Sequence, residues 1–309
     1  MVAILLAGGK SSRFGGDKLA YRLHRVPILR RTYAAVRPFD DTVLVSVKRK
    51  SQAASLRKLL PEGVEFLTDL RDLGLEGPGA GIITGLRASS GKPVLLVAAD
   101  MPWIERDALR RLRDIAGSRR GVAVPVRASG MVEPLVQAHA AAPSRAFLDR
   151  LIDQRSGHLR PTDLLRASPR VVFVSERLLT RRSRCFRSVN TRADLRRAGE
   201  STAQITARAI RPVPARASRR FWKAASWQMR GNARSAARGF LAEAEVYRSI
   251  GIAHLELDCL LDAHYCLAGS DRGGIALHRR IVVLRNAIDV APRGRKTVPG
   301  TRGMVRRRA

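Results

Sequence analysis

The chain of 309 residues carries 58 Lys and Arg against 26 Asp and Glu, a formal net charge of +32, with 45% hydrophobic and 5% aromatic residues. That length supports a full core and two domains, and that composition excludes disordered and collagen-like chains. No uninterrupted apolar run reaches the roughly 18 residues of a spanning helix, so no membrane is expected as a partner.

Residues 1 to about 198 alternate short apolar runs with helical stretches. Strands are predicted at Val2–Leu6, Thr42–Val47, Val64–Leu67, Pro93–Ala98, Val122–Val126 and Val171–Val174. Helices are predicted at Ile28–Val36, Gln52–Leu60, Ala80–Ala88, Arg106–Ala116, Ser144–Asp153 and Arg192–Ala198. The runs Val43-Leu44-Val45 and Val94-Leu95-Leu96-Val97 are apolar on both faces, as a parallel strand covered on both sides requires. Such β-α alternation implies an α/β fold with a doubly wound, mostly parallel sheet, whose ligands sit at the carboxyl ends of strands.

The first predicted strand runs into Leu6-Ala7-Gly8-Gly9-Lys10-Ser11-Ser12-Arg13-Phe14-Gly15-Gly16-Asp17-Lys18. Without Cβ atoms, Gly8 and Gly9 allow backbone N–H groups close approach to a base or phosphate. Lys10, Arg13 and Lys18 bring positive charge for a triphosphate. The spacing fits neither a P-loop nor the dinucleotide G-x-G-x-x-G pattern. The plainer alternative is a glycine-rich turn on a basic protein. The same loop interrupts what would be the apolar core of a signal peptide, so a cytoplasmic protein is expected.

Three further stretches carry chemistry. Asp69 follows the third predicted strand and leads into a second glycine-rich turn, Glu76-Gly77-Pro78-Gly79-Ala80-Gly81-Ile82. That turn can present backbone N–H groups to a nucleotide or simply connect a strand to a helix, and Asp69 can bind nucleoside or metal or cap a loop. Asp100, in Ala98-Ala99-Asp100-Met101-Pro102, ends the fourth strand. It suits Mg²⁺, which takes one or two carboxylates plus phosphate oxygens and water; the competing reading is a helix N-cap. Ser188-Val189-Asn190-Thr191-Arg192-Ala193-Asp194-Leu195 predicts a capping box of Thr191 with Asp194. Asn190 is the unusual residue there, an amide placed before a cap.

In this order, the four motifs resemble the molybdenum cofactor guanylyltransferase family over residues 1 to about 198. Its opening pattern, Leu-Ala-Gly-Gly-x-Ser-x-Arg-Met-Gly followed by Asp-Lys, matches Leu6 to Lys18 with Phe14 in place of Met. Gly77–Ile82 corresponds to Gly-Pro-Leu-Ala-Gly-Ile with Gly79 in place of Leu. Asp100-Met101-Pro102 corresponds to the metal-site Asp-x-Pro, and Asn190–Leu195 to Asn-Thr-Pro-x-x-Leu with Arg192 in place of Pro. The resemblance implies GTP and metal-bound molybdopterin as substrates and Mg²⁺ as cofactor. It implies that Leu6, Ala7, Gly8 and Gly9 meet the guanine nucleotide, that Asp69 binds the nucleoside, and that Lys18, with Arg13, binds triphosphate. It places Mg²⁺ on Asp100, and Glu133 and Asn190 on the pterin side. Relatives that use CTP have Leu-Ala-Ala-Gly in the loop, so Gly8 favours a purine. A family Asn near Ser46 does not carry over. The rival enzyme readings are a cobinamide-phosphate guanylyltransferase, a molybdopterin cytidylyltransferase or a sugar-phosphate enzyme. A rival from another class is a non-catalytic binding protein on a degenerate transferase domain.

The transferase domain is assigned to 1–199. Residues 200–217, with Pro212 and Pro214, read as a linker. Residues 218–290 read as a helical module, in which Gly231–Ala236–Phe240 resembles half of a tetratricopeptide hairpin. Trp222, Trp227 and Phe240 are assigned to its core. The sequence leaves three roles open for it: binding an apo-molybdoenzyme awaiting cofactor, self-association, or bracing the first domain. Residues 291–309 read as a basic disordered tail. Of the 58 basic residues 50 are Arg, scattered through the chain, which favours composition bias over a nucleic-acid surface. Cys185, Cys259 and Cys266 form no Cys-x-x-Cys pair and read as free thiols.

Overall fold

The computed structural model describes residues 1–9, 12–37, 42–70, 74–75, 77–155, 159–196, 210–267 and 271–289. Ten strands are described: β1 (Val2–Leu6), β2 (Arg22–Leu23), β3 (Val26–Pro27), β4 (Val43–Val47), β5 (Glu65–Thr68), β6 (Val94–Ala98), β7 (Val122–Val126), β8 (Val136–His139), β9 (Val171–Ser175) and β10 (Ile210–Pro212). The helices are α1 (Ile28–Val36), α2 (Lys50–Arg57), α3 (Pro78–Ala88), α4 (Arg106–Arg119), α5 (Arg145–Arg155), α6 (Pro161–Ala167), α7 (Glu176–Leu179) and α8 (Arg192–Arg196). Four more follow: α9 (Arg216–Met229), α10 (Ala233–Ser249), α11 (Ala253–Cys266) and α12 (Asp271–Asp289).

Eight strands form one sheet in the order β10-β9-β7-β8-β6-β1-β4-β5. β1 pairs in parallel with both β4 and β6, and β4 pairs in parallel with β5. The loops leaving β1, β4, β5 and β6 therefore open on one edge. The chain winds outward from β1 through β4 to β5, then returns to β6 on the other side of β1. That reversal is the switch point where open α/β sheets hold ligands.

The residues of β4, β6 and β7 are buried on both faces, which is why they read as unbroken apolar runs. Ala3, Leu5, Val45, Leu95 and Val97 pack one way, against Leu29 of α1 and Leu109 and Leu112 of α4. Val2, Ile4, Leu44, Val94 and Leu96 pack the other way, against Ile82 of α3, Leu148 of α5 and Leu164 of α6.

Two strands of the eight-stranded sheet depart from the sequence reading. β8 is antiparallel between β6 and β7; its Gln137 and His139 are buried, so it lacks an apolar pattern. β10 lies inside the stretch read as a linker, yet it joins the sheet antiparallel to β9. Residues 200–209 of that stretch lie outside the described residues, as does the predicted tail at 291–309.

The last four helices share a core with the sheet. Val122, Val124, Val171 and Phe173 of β7 and β9 cluster with Phe240, Tyr247, Leu255 and Cys259 of α10 and α11. Gly239 packs so closely that a Cβ there would meet the Ala224 Cβ at 2.7 Å. Phe240 is fully buried, while Trp222 and Trp227 are partly buried against the core clusters. Between α6 and α11 runs a buried charge network. Arg166, fully buried, donates to Glu243 at 2.9 and 2.7 Å and to Asp262 at 2.6 Å. Arg155 and Arg160 also bond Asp262, at 3.2 and 2.7 Å. The three surrounding guanidiniums hold the Asp262 carboxyl well below the usual carboxylate range despite its burial. Among the described residues, no helix is long and apolar enough to cross a membrane. Cys185, Cys259 and Cys266 are free thiols.

Candidate active site

Lys18 and Asp100 are 82 residues apart in sequence and meet at the sheet edge, Lys18 Nζ to Asp100 Oδ2, at 2.5 Å. Their side chains are 11% and 17% exposed, so the pair is shielded but reachable. Asp17 sets the lysine: its Oδ1 accepts from the N–H of Leu19 at 3.0 Å and of Ala20 at 3.3 Å. This is an Asx turn, and an Asp followed by a short turn was the local signal for it. Asp100 is not a helix cap, since α4 begins six residues later at Arg106. It leaves β6 on a loop braced by α1. Thr32 Oγ1 donates to the Ala99 carbonyl at 3.1 Å and Arg31 Nε to the Pro102 carbonyl at 3.2 Å.

Asp100 Oδ1 is buried and, among the described residues, has no hydrogen-bond partner. An orphaned carboxylate oxygen beside a lysine fits a cation that completes its shell with phosphate oxygens and water. Among the described residues, no group of three or more His, Cys, Asp or Glu could hold a metal alone. A single-carboxylate site is the arrangement these residues can offer.

The glycine loop is held from below. The Leu6 carbonyl accepts from Ala99 N–H at 3.0 Å. Ala7 N–H donates to the Ser46 carbonyl at 2.8 Å, and the Ala7 carbonyl accepts from Gln52 Nε2 at 2.7 Å. Leu6 and Ala7 thus anchor the loop, while the N–H groups of Gly8 and Gly9 have no partner among the described residues. Gln52, one turn into α2, carried no sequence signal for this brace. A Cβ on Gly8 would sit 3.4 Å from Lys48 N and 3.5 Å from Asp69 Oδ2. Lys10 lies outside the described residues. Arg13 is exposed, with no ion pair among them.

Asp69 ends β5 beside a cleft of about 640 Å³ lined by Lys48, Arg49, Asp69, Leu75, Gly77 and Ala80. Its Oδ1 accepts from Ser46 Oγ at 2.8 Å. Burial raises its carboxyl, against the Ser46 hydrogen bond and the Lys48 charge. α3 lies tight on this region: a Cβ on Gly81 would come 2.9 Å from Ser46 Oγ, and one on Gly79 would strike the Leu159 carbonyl at 2.4 Å. The glycines of the second turn therefore serve close packing, with Gly77 alone of them lining the cleft. Glu76 lies outside the described residues. Lys18 and Asp100 are not among the residues that line this cleft.

Two segments flank Asp100. Val189 N–H donates to the Asp100 carbonyl at 2.9 Å, which brings Asn190 alongside. The predicted capping box forms: the Asp194 carboxylate accepts from Thr191 N–H at 2.7 Å and Asn190 N–H at 2.9 Å. The hairpin between β7 and β8 brings Glu133. Burial pushes its carboxyl up to about 7; Arg127 opposes this, and the Asp100 and Glu176 charges reinforce it. Gln137 Nε2 donates to the Pro134 carbonyl at 2.7 Å and its Oε1 lies 2.8 Å from His139 Nε2, so two buried polar residues fix the Glu133-Pro134 turn.

The MobA-like NTP transferase domain matches residues 3–171. The chain belongs to the MobA-like NTP transferase family. Probable molybdenum cofactor guanylyltransferases from Thermococcus kodakarensis and Pyrococcus horikoshii are 30% and 31% identical to it over 201 and 198 residues. These alignments cover 64% and 63% of this chain and 93% and 97% of the relatives. The crystal structure of molybdopterin-guanine dinucleotide biosynthesis protein A from Archaeoglobus fulgidus superposes with a TM-score of 0.52 at 26% identity, covering 64% of this chain and 97% of that one. The chain is thus a nucleotidyltransferase on a Rossmann-like sheet, with a C-terminal helical part beyond the residues the family model matches.

Two of the three substitutions in the family pattern sit together. The Arg192 guanidinium, where the pattern has Pro, lies 5.9 Å from the centroid of the Phe14 ring, where the pattern has Met. A cation over an aromatic face makes each change compatible with the other.

Proposed function

We propose that the enzyme transfers GMP from GTP to the terminal phosphate of metal-bound molybdopterin, giving the guanine dinucleotide cofactor and pyrophosphate. The names of the aligned relatives support the substrates. The observation that carries the reading is the Lys18–Asp100 pair at the switch point, with the unpartnered Asp100 Oδ1 beside it.

Gly8 and Gly9 offer N–H donors to the nucleotide, and Asp69 offers its second carboxylate oxygen to the nucleoside. Lys18 spends one ammonium proton on Asp100 and keeps two for triphosphate oxygens. Arg13 adds charge from solvent. Asp100 would hold Mg²⁺, which neutralises charge building on the phosphates. A phosphate oxygen of the acceptor bonds to the α-phosphorus as the α–β bridging bond breaks, and pyrophosphate leaves with that electron pair. No covalent enzyme intermediate is required. The residues supply position and positive charge. Glu133 and Asn190, flanking Asp100, face the acceptor.

The test is pyrophosphate release from GTP with Mg²⁺ and metallated molybdopterin, against CTP under the same conditions. The reading expects release that requires both acceptor and GTP. Preference for CTP, or no acceptor-dependent release, would refute it.

A further inference from the structure

The helical part (α9–α12) lies beyond residues 3–171, which the family model matches, yet among the described residues it reaches the active edge at the β7–β8 hairpin. The hairpin joining β7 to β8 ends at Glu133, beside Asp100, and the turn between α10 and α11 closes on that hairpin. The His254 N–H, in the first turn of α11, donates to the Gly130 carbonyl at 3.2 Å. First-turn N–H groups have no partner within their own helix, so the hairpin caps α11. His254 Nδ1 lies 3.4 Å from the Val132 carbonyl, and Ile252 packs in one cluster with Val126 and Val132.

The fit leaves no slack. Gly130 has φ +80°, and a Cβ there would lie 2.6 Å from Ala253 N and 2.8 Å from the Gly251 carbonyl oxygen. The α10–α11 turn is itself fastened, because Arg211 of β10 donates to the Gly251 carbonyl at 2.9 Å. The Arg166–Glu243 and Arg166–Asp262 pairs hold α10 and α11 to α6.

We propose that the helical part is a positioning element of the acceptor side: its α10–α11 turn sets the hairpin that presents Glu133. It braces the active edge rather than hanging from it as a tethered domain. The statement about the hairpin stands on the contacts above. Its consequence for the acceptor rests on the function proposed in the preceding section.

Gly130→Ala in the full-length chain is the test, with Gly231→Ala as a matched control. Gly231 has φ +72° in the α9–α10 turn, with nothing within 4 Å of a Cβ, so it carries similar backbone strain away from the hairpin. Amide hydrogen exchange over residues 127–135 should accelerate about tenfold or more in Gly130→Ala, and not in Gly231→Ala. KM for metallated molybdopterin should rise about tenfold in the same variant while GTP affinity stays within about twofold, a split that loss of global stability alone would not give. Should Gly130→Ala not fold, His254→Ala and Arg211→Met loosen the same turn and are read in the same way. Unchanged exchange in the hairpin, or acceptor KM and GTP affinity worsening together, overturns the proposal. Faster exchange in an enzyme whose wild type does not use molybdopterin would support the brace and remove only the acceptor assigned to it.

Discussion

Asp100→Asn keeps the size of the side chain and removes its charge, and the structure assigns that charge two tasks. One oxygen pairs with Lys18 at 2.5 Å; the other is buried with no partner among the described residues. Losing the first frees the lysine, which then has all three donors for phosphate oxygens. GTP binding without metal should therefore be as tight as in wild type or tighter. Losing the second removes the carboxylate expected to hold Mg²⁺. The ability of Mg²⁺ to tighten GTP binding should disappear. Turnover should fall about 100-fold or more, a barrier increase of about 2.7 kcal/mol, similar to removing one preorganised charge-stabilising donor. Lys18→Met is the complement and should weaken GTP binding and turnover together. The assay is calorimetric GTP titration with and without Mg²⁺, alongside pyrophosphate release. Mg²⁺-dependent GTP binding that survives intact in Asp100→Asn would refute the metal role.

Gly8→Ala tests the purine pocket. Its methyl fits at 3.4 Å from Lys48 N and 3.5 Å from Asp69 Oδ2, so the fold should hold, but the space in front of Asp69 shrinks. GTP affinity should drop about tenfold relative to CTP, the scale of one methyl group in a specific pocket; an unchanged GTP to CTP ratio would show that the base lies elsewhere. Arg166→Met tests the helical interface. It leaves the buried Glu243 carboxylate without its guanidinium partner and should cost about 3–5 kcal/mol in urea unfolding. Arg166→Met combined with Glu243→Leu should recover much of that, because the carboxylate left alone is gone and Asp262 keeps Arg155 and Arg160. A single-variant loss below about 1 kcal/mol would contradict the interface as described.

Much of the sheet could be read from residue pattern because its parallel strands are buried on both faces. A run such as Val94–Val97 has no alternative environment in a soluble protein, and Val122–Val126 matches its predicted bounds for the same reason. The glycine loop and Asp100 stood out in the sequence because close backbone approach and a strand-end carboxylate leave local marks. β8 was not legible, since its Gln137 and His139 are buried and bonded to each other inside the core, which makes a buried strand read as polar. Arg155, Arg160 and Arg166 read as scattered surface charge, yet they pair with Asp163, Glu243, Asp258 and Asp262 in the interior. Charge composition counts residues and does not record which of them are matched.

By itself the sequence determined the fold class, the order of motifs and the kind of chemistry, since each depends on neighbours a few residues apart. Only the tertiary structure decided that Lys18 bonds one oxygen of Asp100 directly and leaves the other without a partner among the described residues, that β10 closes the sheet edge, and that the last helices brace the hairpin of Glu133. Those are contacts between segments whose local patterns carry no information about one another, and chain winding and packing alone bring them together.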